Sequence, residues 1–310
     1  MQQIIIPGGA GLVGQNLIVK LKAAGYTDIV AIDKHPSNIL ILKKLHPDIR
    51  VYHSDLVTDT DWHEAINNKS IIVMLQAQIG SKKSDDFIKN NIVSTENVLT
   101  QAKEKGVKYI VHISSSVVES VADDDYTNTK KQQEDMVARS GINNVILRPT
   151  LMFGWFDRKH LGWLSRFMKR IPIFPIPGHG RYMRQPLYVS DFCNIIISTI
   201  KSRPQNITYN ITGRENIDYI DMIREIKKAI QARSLIVKIP YSLFWLLLRV
   251  YALFSSNPPF TVEQLKALTS SDEFELISWW DIFDVEVTEF THAIYETFND
   301  PAYSNVVLDF

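Results

Sequence analysis

The sequence predicts an α/β fold: a doubly wound parallel sheet followed by a smaller, mostly helical C-terminal part. Three observations predict it. Short apolar runs recur through the first half of the chain with helical patterns between them, those runs are nearly continuous rather than alternating, and a glycine-rich turn joins the first run to the first helical pattern. A strand buried on both faces has no polar face to present, so a continuous apolar run marks a parallel sheet with helices on each side.

The runs lie at 3–6, 29–32, 51–52, 71–75, 109–113 and 145–147. Between the first two, residues 13–24 place apolar side chains at 13, 17, 21 and 24 on one helical face, with Gly25 where the chain leaves the helix. A longer helical pattern runs from about 85 to 105 and stops at Gly106. Strands that alternate with helices are joined by right-handed crossovers, which gives the double winding.

Composition removes whole classes of function. The 310 residues carry 34 Lys and Arg against 34 Asp and Glu, so no nucleic-acid partner is expected. A single cysteine, Cys193, excludes a disulfide framework, and the eight scattered histidines have no ligand spacing, so no metal site is expected. Residues 1–3 lead directly into Ile4 without a basic targeting region, and the expectation is a cytoplasmic protein. The most apolar stretch, 239–254, is 16 residues bounded by Lys238 and interrupted by Arg249, too short for a transmembrane span. It is expected to pack against the C-terminal part or a partner subunit, with peripheral membrane contact as the alternative.

The zero net charge hides two opposed regions. Residues 148–184 hold eight bases and one acid, whereas 267–310 hold ten acids and no Lys or Arg. The first could line a pocket for an anionic small molecule; otherwise both are solvated surface, with the tail covering its own basic segment.

The turn after the first run reads Gly8-Gly9-Ala10-Gly11-Leu12-Val13-Gly14. It satisfies both G-x-x-G-x-x-G and G-x-G-x-x-G, and it stands between a strand and a helix. Glycines there let backbone N–H groups approach a pyrophosphate, and the helix N-terminus adds its positive dipole end. Gly8, Gly11, Leu12, Val13 and Gly14 are therefore the expected cofactor loop. Asp33, 19 residues after Gly14 at the end of the second run, is placed to accept from a ribose 2′-hydroxyl. Its charge favours NAD over NADP, an effect the adjacent Lys34 offsets in part. Asp55 and Leu56, after the third run, are the expected adenine contacts, with a turn or cap role for Asp55 as the alternative. These assignments give a Rossmann-type nucleotide-binding domain over 1–155, with segments near 185–212 returning to it. The substrate-binding cap is then mainly 156–310.

The fifth run ends in Ser114-Ser115-Ser116, and Tyr126-x-x-x-Lys130 follows. Four residues make about one helical turn, so phenol and amine share a face, and an ammonium beside a phenol lowers the pKa of the phenol. A serine at the strand end can hold a substrate oxygen where open α/β sheets bind their ligands.

With the glycine loop, Asp33 and Asp55, these residues resemble the extended short-chain dehydrogenase/reductases, the NAD-dependent epimerase/dehydratase family. The resemblance also takes in 91–97, Glu134, 147–154 and 185–191, and covers roughly residues 3–230. It implies a catalytic triad of Ser116, Tyr126 and Lys130 with Asn91 extending the proton relay. It further implies that Lys130 holds the nicotinamide ribose, that Arg184 contacts a nucleotide-sugar diphosphate, and that the helices near 85–105 and 126–140 form a homodimer.

Two departures shape the functional expectation. Only ten residues separate Ser116 from Tyr126, shorter than in nucleotide-sugar members, and Val117 and Val118 stand where sugar dehydratases of the family carry an Asp-Glu pair. Without acid and base for water elimination, epimerisation or simple alcohol–ketone redox is left. The leading expectation is a nucleotide-sugar epimerase. The alternatives are a dehydrogenase or reductase of a steroid-like or lipid alcohol, and a non-catalytic scaffold. The scaffold reading comes from the resemblance of 185–290, including 258–265, to the accessory subunit of respiratory complex I.

Overall fold

The computed structural model describes residues 2–121, 123–254, 262–269 and 275–309. The chain begins with β1 (Gln3–Pro7), α1 (Leu12–Ala23), β2 (Ile29–Asp33), α2 (Pro36–Leu45), β3 (Arg50–His53) and β4 (Ser70–Met74). It continues through α3 (Ser84–Phe87), α4 (Ser94–Glu104), β5 (Tyr109–Ile113), α5 (Asp125–Ala138) and β6 (Asn143–Pro149). These six strands coincide with the six apolar runs. A seventh, β11 (Ile207–Ile211), completes a sheet of order β11-β6-β5-β4-β1-β2-β3 in which every pair is parallel. β11 has no continuous apolar run because it is an edge strand: Ile207 and Thr208 are exposed and only Ile211 is buried.

The continuous runs arise from the two-sided burial of the sheet. Ile4, Ile6, Ala31 and Val73 point into one core with Leu17 and Ile18 of α1, whereas Ile5, Val30, Ile72 and Ile110 point into the opposite core with Trp62 and Val98. The strand order reverses at β1, with β2 on one side and β4 on the other. A crevice therefore opens at the carboxyl ends of β1 and β4, the place where such sheets take ligands.

The 85–105 helix is interrupted. Between α3 and α4 the backbone widens into a π-helical turn, Ile88–Val93, which no periodicity in the sequence announced. Gly106 ends α4 at φ +71°, as expected.

Beyond β6 come β7 (Met152–Phe153), α6 (Leu161–Arg170), β8 (Ile173–Pro177), β9 (Met183–Arg184) and β10 (Leu187–Tyr188). The helix α7 (Val189–Ser202) then returns to the sheet, where its residues Phe192, Ile195 and Ile196 join the α1-side core. After β11 follow β12 (Ile217–Asp218), α8 (Tyr219–Ala229), β13 (Leu235–Ile239) and α9 (Tyr241–Phe254), and then α10 (Val262–Thr269), α11 (Trp279–Phe283) and α12 (Phe290–Asn299). A separate core forms here from α6, α8, α12 and the inner face of the parallel β8–β13 ribbon, with Leu161, Phe174, Ile176, Ile223 and Ile294 at its centre. The first part of the 258–265 stretch, through 261, lies outside the described residues.

The acidic tail folds back on the chain. Trp279 fills the α1-side core with Phe283 and Val285, and its Nε1 donates to the Thr212 carbonyl at 2.9 Å. Thr288 donates to Asp191 through its backbone N–H (3.0 Å) and its hydroxyl (2.7 Å). Asp309 pairs with Arg158, and Asn38 exchanges two hydrogen bonds with the Asp309 backbone. Trp279 thus anchors the tail to the sheet. Trp279→Ala is expected to lower unfolding free energy by about 3–5 kcal/mol, read from urea denaturation.

Candidate active site

The crevice is built first by the glycine loop. Gly8 sits at φ +80°, and a Cβ there would come within 2.7 Å of the Gln76 backbone nitrogen. At Gly14 a Cβ would meet the Gly9 carbonyl oxygen at 2.5 Å, so helix α1 rests directly on the loop. Gly11 caps α1 without a side-chain acceptor, and the first amide to close on it is Gln15, at 3.0 Å. The N–H groups of Leu12, Val13 and Gly14 precede the first intrahelical acceptor, which leaves the positive end of the helix at the crevice.

Asp33 ties this loop to the end of β2. Its Oδ2 accepts from Ala10 N and its Oδ1 from His35 N, both at 3.0 Å. Burial raises its pKa above the ordinary carboxylate value, and the backbone donors draw it back. Each carboxylate oxygen keeps a second lone pair. A backbone cradle closed to any Cβ, a helix N-terminus and an acceptor at the strand end together fit the pyrophosphate and ribose of a dinucleotide.

Asp55 answers to its turn reading. Its Oδ1 accepts from Val57 N at 2.9 Å, and its Oδ2 pairs with Lys34 at 3.1 Å. Lys34 also donates to Asn90 Oδ1 at 2.6 Å. Leu56 is buried, and its carbonyl accepts from Asn97 Nδ2 at 2.8 Å.

The side chains predicted to be catalytic gather at the carboxyl end of β5. The Ser115 side chain lies close enough to the Tyr126 phenol to draw its pKa down. The predicted Ser116 is the next residue, buried at the start of a tight 3₁₀ turn, Ser116–Glu119, which Ser115 caps by accepting from Val117 N at 3.4 Å. Three identical residues in a row gave the sequence no means of choosing between them. The residues after Ser115 are Ser116 and Val117, so there is still no carboxylate pair.

Lys130 lies one turn along α5 from Tyr126 and is fully buried, its Nζ donating to the Ile113 carbonyl at 2.9 Å. Burial pushes its pKa down to about 7, against the pull of Glu134. The Tyr126 pKa is raised, chiefly by burial, with the Ser115 side chain opposing and Asp124 adding to the rise. The lowered phenol pKa expected from the Tyr-x-x-x-Lys spacing is not what the structure gives, because burial of the phenol disfavours its charged form.

Glu134, one turn further along, grips Arg148 of β6 through two parallel hydrogen bonds of 2.9 and 2.6 Å; Arg148 also pairs with Glu119 at 2.6 Å. Asn91 sits in the π-helical turn, fully buried. Its amide accepts from Gln78 N at 2.6 Å and donates to Thr129 Oγ1 at 2.9 Å, so it braces α5 beside Lys130. Ser115 and Thr129 were absent from the sequence-level site. The seryl run held a signal for the first, but nothing marked the second.

Arg184 stands on β9, its guanidinium donating to the carbonyls of Met183 (2.8 Å) and Leu268. Other bases of 148–184 are held likewise: Arg158 by Asp309, and Arg166 by the carbonyls of Asp157 and Arg158.

The family model described as the NAD dependent epimerase/dehydratase family matches residues 4–212. The chain belongs to that family. It is an NAD-dependent enzyme of the short-chain dehydrogenase/reductase type. It is 25% identical over 270 residues to the dTDP-glucose 4,6-dehydratase of Streptomyces niveus, a match covering 73% of this chain and 77% of that one. It is 28% identical over 185 residues to the decarboxylating sterol-4-alpha-carboxylate 3-dehydrogenase of Candida albicans, covering 51% of this chain and about half (53%) of that protein. The NAD complex of UDP-glucuronic acid 4-epimerase from Bacillus cereus superposes with a TM-score of 0.73 at 20% identity, over 97% of this chain and 98% of that one. At that identity the likeness is one of fold.

Lys130 has a measurable consequence. Its pKa is lower folded than unfolded, so between about pH 7 and 10 the unfolded chain binds more protons and stability rises with pH. Lys130→Met removes this dependence. Relative to that variant, the native chain is expected to gain about 2 kcal/mol between pH 7 and pH 9 in parallel denaturation series.

Proposed function

We propose that the protein is an NAD-linked oxidoreductase acting on a secondary alcohol or ketone of an apolar, lipid-like substrate. The observation that carries this reading is the disposition of the basic segment. Arg148, Arg158, Arg166 and Arg184 are each engaged by carboxylates or backbone carbonyls of the chain itself. The anionic pocket that would favour a nucleotide diphosphate therefore loses its support. The similarity to a sterol dehydrogenase agrees with an apolar substrate.

Bound NAD supplies the hydride acceptor. Ser115 holds the substrate oxygen, and Tyr126, whose phenol lies beside Ser115, takes its proton. Lys130 sets the charge beside the phenol: its amine, near half protonation at neutral pH, favours phenolate when protonated. Asn91 and the Glu134–Arg148 pair position α5. NAD is preferred to NADP because a 2′-phosphate would bring like charge to Asp33, and Lys34, the base that could offset it, is paired with Asp55.

A second reading, epimerisation of a nucleotide sugar, is favoured by the similarity to the dTDP-glucose enzyme, which spans 73% of the chain. The two separate on cofactor balance. Purified protein with NAD is expected to accumulate reduced nicotinamide, seen by absorbance, with sterol or long-chain secondary alcohols. Sugar interconversion without net reduction would establish the second reading, and neither reduction nor interconversion with either class would favour a scaffold. Tyr126→Phe is expected to lower kcat by roughly a hundredfold or more, and Ser115→Ala by a similar order. Ser116→Ala is expected to stay close to the native rate.

A further inference from the structure

The β8–β13 ribbon and α9 leave a run of apolar surface uncovered. Ile173 (53% exposed), Leu235 (63%) and Val237 stand on the outer face of the ribbon: its parallel register sets Leu235 opposite Ile173, and alternation puts Val237 on the same face. Their neighbours Phe174 and Ile176 point inward and are buried. After Pro240 the chain enters α9, where Leu246 (51%) and Leu247 (52%) are exposed together with Leu243, Val250, Tyr241 and Trp245. Soluble chains rarely leave so many large apolar side chains together in water without a use for them. With 14 residues α9 is about 21 Å long, and among the described residues no helix is long and apolar enough to cross a membrane.

Charge identifies what covers this surface. Exposed Lys169 and Arg170 lead into β8, Arg233 leads into β13, Lys238 lies within β13, and the Arg249 guanidinium sits 5.0 Å over the Trp245 ring. Residues 169–177 and 233–254 contain these five bases and no Asp or Glu. Apolar and aromatic side chains flanked only by bases match the chemistry of an anionic lipid surface, with leucines and rings in the acyl boundary and ammonium and guanidinium groups on the headgroups. A second copy of the chain would set five bases against five, which opposes a two-fold pairing through this face.

We propose that α9 and the outer face of the β8–β13 ribbon dock the protein peripherally on an anionic membrane surface. This goes beyond the substrate reading and is tested without turnover.

The test is flotation of the full chain with phosphatidylcholine vesicles, with or without phosphatidylglycerol. Co-flotation is expected with the anionic vesicles only, weakening as salt is raised. Arg170→Gln with Lys238→Gln is expected to weaken binding about thirty-fold, and Leu246→Asp with Leu247→Asp to abolish it. All four positions are exposed, and unchanged NAD binding and circular dichroism would verify that the variants fold. The proposal is overturned if the native chain floats with neither vesicle or equally with both. It is also overturned if light scattering shows a dimer that Leu246→Asp with Leu247→Asp dissociates, which would assign the face to a second copy.

Discussion

The Lys130 amine, buried against the end of β5, is the contact on which the rest of the site depends. By donating to the Ile113 carbonyl it fixes the height of α5 against the sheet. Tyr126 lies one turn before it on the helix and Ser115 two residues beyond Ile113 on the strand, so that single hydrogen bond brings phenol and hydroxyl to the same place. Burying an amine is unfavourable unless it is paired, and the pairing here is modest: one carbonyl and the nearby field of Glu134. Glu134 is itself committed to Arg148, which locks α5 to β6. From the other side Asn91, through Thr129, ties α5 to the π-helical turn. Three separate contacts therefore hold one helix in register, and the register is what the chemistry requires.

The balance of 34 bases against 34 acids is likewise a matter of placement. The basic segment after β6 and the acidic tail meet at Arg158 and Asp309, and the tail is carried there by Trp279 in the sheet core and Thr288 on Asp191. Other arginines of the segment turn to backbone carbonyls. Exposed Lys169 and Arg170 of the segment stand beside β8, near Arg233 and Lys238 at β13 and Arg249 on α9. Charge counted along the sequence located the surplus correctly; only the fold reveals which charges are already answered.

The legible parts of this protein were those in which each residue obeys a local rule. Short continuous apolar runs that alternate with helical patterns mark strands covered on both faces, and glycines at 8 and 14 are required wherever a Cβ would strike backbone. The hidden parts depend on phase or on distant partners. Ser115 and Ser116 differ only in which way the chain turns as β5 ends, and three serines in a row carry no phase. The π-helical turn at 88–93 inserts a residue into a helix whose composition is unremarkable for an α-helix. The place of Trp279 has no local sign because its core partners, apart from Phe283 and Val285, lie far from it in the chain. The pKa of Tyr126 was misjudged for the same reason, since spacing gives proximity to Lys130 but not the burial of both groups.

Polar atoms at the carboxyl ends of the central strands complete the picture. Among the described residues the Gln76 amide, the Ser114 hydroxyl and both ring nitrogens of His112 are buried without a hydrogen-bond partner from the chain. Each such group costs about 1–3 kcal/mol, so a sheet selected for stability alone would carry apolar side chains there. Gln76 lies against Gly8, and His112 is close enough to Lys130 for that charge to help push its pKa well below the ordinary value. These unanswered groups stand beside the glycine loop and the buried lysine, whereas at the opposite end of the sheet the buried polar side chains Gln3 and Ser70 bond each other beside apolar Ile4, Ile71 and Ile110. Stability and function divide the sheet along its length: one end holds the fold, and the other is kept polar and partly unsatisfied for what binds there.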